Sequence, residues 1–205
     1  MSQVASPYGL RPVKMLGDRP WSHGVHGYPM TVNQTRGLFF GDPVGLVGGS
    51  PTPLLATPTN AIGANSPIGV FMGCSFTDPI RGFVNSQYLP ANAVNNGLTK
   101  ISCMIADDPM LVFAIQADGP VTVNNIGMNA ALGNFTAGSL FTGDSAVNLA
   151  SAGIAGAATL ALRIYDFVYT ATPSPGAGSQ PGDPFTDCLV VWNFGVHRFQ
   201  NGGGQ

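Results

Sequence analysis

Short runs of apolar and β-branched residues recur along the whole chain, separated by clusters of glycine, proline, asparagine, aspartate and serine. This spacing is typical of strands joined by turns in a β-sandwich or barrel. Ten strands are predicted, at residues 30–33, 38–40, 44–47, 68–76, 83–88, 101–106, 111–117, 121–124, 159–170 and 188–199. The fold class expected is therefore all-β: an antiparallel sandwich, jelly-roll-like or barrel domain with long Gly/Pro-rich loops.

Two of the predicted strands, at residues 159–170 and 188–199, differ in how their apolar residues are spaced. Alternation is clearest over residues 160–168, where Arg163 points away from the apolar face. The residues assigned to that face are Leu160, Leu162, Ile164, Asp166 and Val168. Residues 189–192 are continuously apolar, as in a strand that is covered on both sides.

Three regions lack a strong pattern. Residues 47–67 contain four prolines and are expected to form an exposed loop or an edge excursion. Residues 130–158 are rich in small residues, and a turn or two of helix is possible at 150–158, although Gly153 and Gly156 weaken it. Residues 170–185 are expected to form the long loop of a hairpin.

Both ends of the chain are predicted to be appendages. Residues 1–29 mix apolar anchors with proline and glycine, so they are expected to be an extended arm that packs along its own domain or reaches a neighbour. Residues 30–200 form the single β domain, and residues 201–205 a flexible tail. Deletion of residues 1–17 is expected to leave a folded protein.

The composition supports a chain poor in helix. Only 9% of the 205 residues are charged, all ten acidic residues are aspartate, and there are two lysines. Such a chain cannot line long helices with i,i+4 ion pairs. Glycine and proline together contribute 28 + 17 = 45 residues, which favours turns.

The net charge limits the classes of partner that are expected, and the positions of the cysteines indicate their redox state. A formal net charge of −2 provides no basic footprint, so neither a nucleic acid nor an anionic membrane is expected as a partner. No apolar run is long enough to span a bilayer, and the start of the chain carries no recognisable export signal. Cys74, Cys103 and Cys188 each lie in apolar stretches and are expected to be buried and reduced.

The sequence predicts no catalytic, cofactor-binding or metal-binding residues. No phosphate loop, dinucleotide fingerprint, nucleophile elbow or His-Glu-x-x-His motif is present. Asp107, Asp108 and Pro109 are expected to form a turn that ends a strand. His23 and His26 are expected in a surface loop, since two histidines without a cysteine pair indicate zinc only weakly, and His197 is the only other histidine.

Several segments, taken in order, resemble head decoration (cement) proteins of short-tailed bacteriophages and cyanophages. The segments that carry the resemblance are ASPYGLRPVKMLG (5–17), IGVFMGCSFTDP (68–79), ADDPMLVFAIQADG (106–119), IGMNAAL (126–132), LRIYDFV (162–168) and DCLVVWNFGVHRF (187–199). The resemblance implies a protein that is not an enzyme, needs no cofactor and binds the outer surface of the major capsid protein lattice. It would be synthesised in the host cytoplasm and reside on the outside of the virion.

The partner-binding residues expected from this resemblance lie near the N-terminus. The arm offers Tyr8, Leu10, Arg11, Pro12 and Val13 as anchors. Trp21 and Tyr28 are expected at a protein contact and moderately exposed in the isolated chain. A homo-oligomer is expected, with a trimer favoured over a dimer. The alternatives are other virion structural proteins, namely a jelly-roll coat protein or a head fibre or adhesion module.

Overall fold

The computed structural model describes residues 4–54, 66–168 and 180–195. Within these residues the regular structure is fifteen β-strands and one 3₁₀ turn (Val123–Asn125), with no α-helix. The pairings between strands are antiparallel. The predicted all-β class is therefore confirmed. The part of the chain described contains no helix long and apolar enough to cross a membrane.

The strands are β1 (Arg11–Met15), β2 (Arg19–Pro20), β3 (His26–Pro29), β4 (Leu38–Phe39), β5 (Pro43–Val47), β6 (Ser50–Pro53), β7 (Gly69–Asp78), β8 (Gly82–Ser86), β9 (Tyr88–Leu89), β10 (Thr99–Ala106), β11 (Leu111–Gln116), β12 (Asn129–Gly133), β13 (Asn148–Ala155), β14 (Leu162–Phe167) and β15 (Asp187–Trp192).

The larger sheet has seven strands in the order β13-β12-β14-β15-β11-β1-β2. One face of it forms an apolar core in which Phe113, Val190 and Ile164 lie side by side on neighbouring strands. Val70 and Ala106 of the other sheet belong to the same core, so the two sheets pack against each other. The opposite face of β11 and β15 is also buried, which confirms that β15 is covered on both sides.

The smaller sheet has six strands, with the path β3-β10-β7-β5-β6 and β8 attached to β7. The amide of Thr31, just after β3, donates to Ser50 Oγ at the start of β6 (2.9 Å), which links the two ends of the path. The sheet therefore curls into a partly closed barrel around a second core that includes Phe71, Cys103 and Ile105. A two-stranded ribbon, β4 with β9, lies against this core.

The N-terminal segment packs along its own domain, one of the two alternatives left open by the sequence. β1 lies between β11 and β2 in the larger sheet, and Leu10 is completely buried in the main core. The amides of Gly9 and Leu10 donate to the carbonyls of Val147 and Gly41. Gly9 has φ +74°, and a Cβ at this position would lie 2.5 Å from the Gly41 oxygen, so only glycine allows this close approach. Deletion of residues 1–17 would remove an interior strand, contrary to the expectation that it leaves a folded protein.

Several predicted elements differ from the structure. Residues 30–33 are not a strand; the strand is β3, immediately before them. The possible helix at 150–158 is instead largely β13, since pairing with β12 overrides the helix propensity of alanine. Residues 121–124 lead into the 3₁₀ turn. Residues 196–199 of the last predicted strand, most of the 170–185 loop and the tail lie outside the described residues.

Candidate partner-binding surface

Two of the predicted anchors, Tyr8 and Leu10, make their contacts within the chain itself. The Tyr8 hydroxyl donates to Asp187 Oδ1 (3.1 Å), and burial raises the pKa of Tyr8 well above its ordinary value. Leu10 is completely buried and cannot contact a partner in this conformation. Pro12 is half-buried beside the β-bulge of β1, whereas Val13, in the bulge, is 50% exposed. Among these four residues, Val13 is the best placed to contact another chain.

Arg11 lies at the centre of a polar cluster. Its guanidinium donates to Asp144 Oδ1 (2.5 Å) and stacks 4.2 Å from the centre of the Phe40 ring. The side-chain amide of Gln87 donates to the same Asp144 oxygen (3.0 Å). The cluster thus holds together β1, the turn after β4 and the end of β8. Asp144 remains 33% exposed, so its carboxylate is accessible to another molecule.

Trp21 and Tyr28 are both half-buried, as expected for the isolated chain. The Trp21 ring lies 4.5 Å from the His23 ring, tilted by 31°. The Tyr28 hydroxyl donates to Asp107 Oδ2 (2.7 Å), and His26 Nδ1 lies 2.8 Å from the same oxygen. Burial, with the hydrogen bond to Asp107, raises the pKa of Tyr28 to about 12, so the hydroxyl stays protonated as a donor.

The acidic pair at the end of β10 has a structural role. Asp108 Oδ1 accepts from the amide of Met110 (2.7 Å) in the turn that leads to β11, which confirms the predicted strand-ending turn. Asp107 instead accepts hydrogen bonds from β3 and so ties this edge strand to the sheet. His23 lies exposed in a loop, as expected, whereas His26 is exposed but begins the edge strand β3 and is not part of a loop. His197 lies outside the described residues.

Metal and thiol chemistry find no support in the described residues. No group of three or more histidine, cysteine or acidic side chains within them could hold a metal ion. Cys74, Cys103 and Cys188 are buried and unpaired, as predicted. Burial raises the pKa of each thiol to about 12, so the nucleophilic thiolate is scarce at neutral pH.

Among the residues that the structure describes, the most exposed large apolar side chain, Phe141, lies on a loop that the sequence pattern missed. Leu140 is 69% and Phe141 99% exposed. The loop is nevertheless well defined, because the amide of Ser139 donates to the Asp144 carbonyl and the amide of Gly143 to the Ser139 carbonyl. We call residues 139–143 the Phe141 loop. An apolar pair flanked by serine, threonine and glycine has no periodicity, so only the fold reveals its exposure.

A second apolar projection is the tip of the β7–β8 hairpin. Ile80 is 93% exposed and Phe83 is 70% exposed. Asp78 Oδ1 accepts from the amides of Ile80 (2.8 Å) and Arg81 (3.0 Å), which closes the turn and lowers the pKa of Asp78. Its other oxygen lies 3.3 Å from the Arg81 guanidinium. The chain's own hydrogen bonds thus fix the conformation of this turn.

The end of β8 connects these two projections. Its last residues and Gln87 line one side of an open cavity of about 600 Å³. The other residues that line it are Phe40, Met72, Gly73, Cys74 and Met104. A Cβ built on Gly143 of the Phe141 loop would lie 3.2 Å from the Gln87 side chain, so loop and cavity are neighbours. This combined surface is apolar at both ends and polar between them.

No protein-family model, no curated protein and no solved structure matches the chain.

Proposed function

We propose that the protein is a non-enzymatic structural protein of a bacteriophage virion, which binds the outer surface of the major capsid protein lattice and stabilises the head. The sequence resemblance suggests this role. The structural observation that carries the proposal is the Phe141 loop, which holds two large apolar side chains in solvent on a hydrogen-bonded turn.

Such a loop fits a docking role for energetic reasons. Burial of a leucine or phenylalanine side chain contributes about 1.5–3 kcal/mol, and a preformed turn loses little conformational freedom when it binds. Phe141 exposes 99% of its surface, so nearly all of that gain remains for a partner. Aromatic side chains of this kind are enriched among the residues that dominate protein interfaces.

The scarcity of charge supports the same role. From residue 119 to residue 162 the sequence has one charged side chain, Asp144, and it is paired with Arg11. A surface with so little charge is a solubility liability for a free protein and less of one for a protein tiled on a lattice. Many repeated weak contacts on a lattice also give avidity.

The test is binding of the purified protein to heads that were assembled without it, measured by co-sedimentation. The double variant Leu140→Ser/Phe141→Ser should bind at least ~10-fold more weakly, since 1.4 kcal/mol corresponds to tenfold. Val123 and Ile126 are also exposed, so Val123→Ser/Ile126→Ser is the matched control and should bind normally.

Two results would overturn this proposal. Unchanged binding of the Phe141 loop variant would show that the loop is not the contact. Closed particles formed by the protein alone, seen by electron microscopy, would instead favour the jelly-roll coat alternative.

A further inference from the structure

We propose that β8 is a self-association strand: the β8 strands of two copies of this chain pair antiparallel about a two-fold axis centred on Val84. The smaller sheet of one copy would then continue into the smaller sheet of the other. The partner at this surface is a second copy of the chain, not the capsid shell.

One edge of β8 is open. The strand pairs with β7 on one side only, and no strand among the described residues pairs with its other side. An exposed edge offers unpaired N–H and C=O groups to another strand. Natural proteins protect such edges with charge, proline, bulges or very short strands. β8 (Gly82–Ser86) has five residues, no charge and no proline.

The other edge strands that the structure describes carry this protection. β2 has two residues and ends in Pro20, and β6 contains Pro51 and Pro53. β3 ends in Pro29. β13 has an irregular register, and Asp118 caps its outer side by accepting from the amide of Ser151 (2.8 Å). β8 is therefore the edge that is left fit for pairing.

The residues of β8 are also complementary to a second copy of the same strand. In an antiparallel pair centred on Val84, Phe83 of one copy lies opposite Asn85 of the second copy, and Gly82 lies opposite Ser86. No like charges meet within the five residues of either strand. Because Phe83 is 70% exposed, its ring is available to cover the facing strand.

Charged groups beyond the ends of β8 are complementary as well. The same register places Arg81 of one copy beside Gln87 of the second copy. Gln87 is hydrogen-bonded to the carboxylate of Asp144, which is 33% exposed, and the Arg81 side chain is 72% exposed. Asp144 already pairs with Arg11, and Arg81 with Asp78, so the contact would place one copy's Arg81–Asp78 pair beside the other copy's Arg11–Asp144 pair, with Arg81 next to the Asp144 carboxylate. The two-fold axis makes this contact twice.

The next residue of the hairpin tip, Ile80, would face a cavity of the second copy. Ile80, which is 93% exposed, follows Arg81 towards the open cavity of about 600 Å³ beside Gln87. An unrelated extended peptide could use the β8 edge, but a second copy always carries a cation and an apolar tip at this spacing. The arrangement thus selects a second copy. It yields a dimer, where the sequence favoured a trimer, and it does not depend on shell binding.

The first test is a cysteine cross-link in the full chain. Directly opposite residues of an antiparallel pair have Cβ atoms about 4.5–5.5 Å apart, close enough for a disulfide after a small adjustment. A mixture of the single variants Phe83→Cys and Asn85→Cys should form a covalent dimer under mild oxidation. A mixture of Val123→Cys with Asn85→Cys is the control and should not. Absence of the cross-link in the first mixture would overturn the pairing.

The second test is the dissociation constant of the dimer, measured by analytical ultracentrifugation without capsid shells. Phe83→Lys should raise it at least ~10-fold, because it puts a charge on the β8 edge. Arg81→Asp should also raise the dissociation constant. Lys100→Asp changes the net charge equally at an exposed residue of β10, and it should not. A wild-type chain that sediments as a monomer at every concentration, or a dimer unaffected by Phe83→Lys, would contradict the proposal.

Discussion

The packing of the N-terminal segment predicts a large loss of stability for Leu10→Ala. Leu10 is completely buried in the main core, next to a strand interior to the larger sheet. Truncation of a buried leucine to alanine costs about 2–5 kcal/mol, because it combines lost apolar burial with a residual cavity. At an m-value of about 3 kcal/mol/M, a loss of about 3 kcal/mol lowers the urea midpoint by about 1 M.

The assay is equilibrium unfolding in urea, followed by tryptophan fluorescence, with Val13→Ala as the matched control. Val13 belongs to the same segment but is 50% exposed, so its truncation should change the unfolding free energy by less than about 1 kcal/mol. Equal midpoints for the two variants would refute the conclusion that the segment is part of the core and would restore the detachable arm.

Three other predictions follow from buried and titrating groups. Asp42→Ala should destabilise the fold by about 3–5 kcal/mol in the same urea assay, because it leaves the largely buried Arg36 guanidinium without its counter-ion. A loss of stability under about 1 kcal/mol would contradict this role of Asp42. The hydrogen bond to Asp107 raises the pKa of His26, so its stabilisation is full below about pH 6.5 and disappears as the pH rises through the raised pKa. The difference in thermal midpoint between wild type and His26→Gln should thus be larger at pH 5.5 than at pH 8.5, and equal differences would disprove the linkage. The three cysteine thiols should react with a disulfide reagent only in denaturant, and fast reaction of any thiol in the native protein would contradict their burial.

The sequence predicted the elements whose apolar patterns are strong. The continuous apolar run of 189–192 predicts the doubly covered β15, and the alternation over 160–168 predicts β14. The alternation fails at one point, because a bulge between Ile164 and Asp166 shifts the phase. Phe167 therefore joins the main core, and Val168 packs on the opposite face instead of sharing the face assigned to it.

Elements held by tertiary contacts were not predictable. β13 (NLASAGIA) is mostly alanine, glycine and serine, and its two large apolar residues, Leu149 and Ile154, show no alternation. Its pairing with β12 therefore decides its conformation. The burial of Leu10 depends on the close approach of Gly9 to Gly41, and these two glycines lie far apart in the sequence. The exposure of Phe141 likewise follows from the turn that holds it, since an isolated phenylalanine in a sequence is normally assigned to the core.

The measurement that tests the central claim most directly is cryo-electron microscopy of heads that were assembled without this protein and then incubated with it. The proposed function predicts ordered density for the protein on the outer surface of the shell, with the Phe141 loop facing the lattice. Bare shells, or bound protein whose Phe141 loop points to solvent, would contradict it.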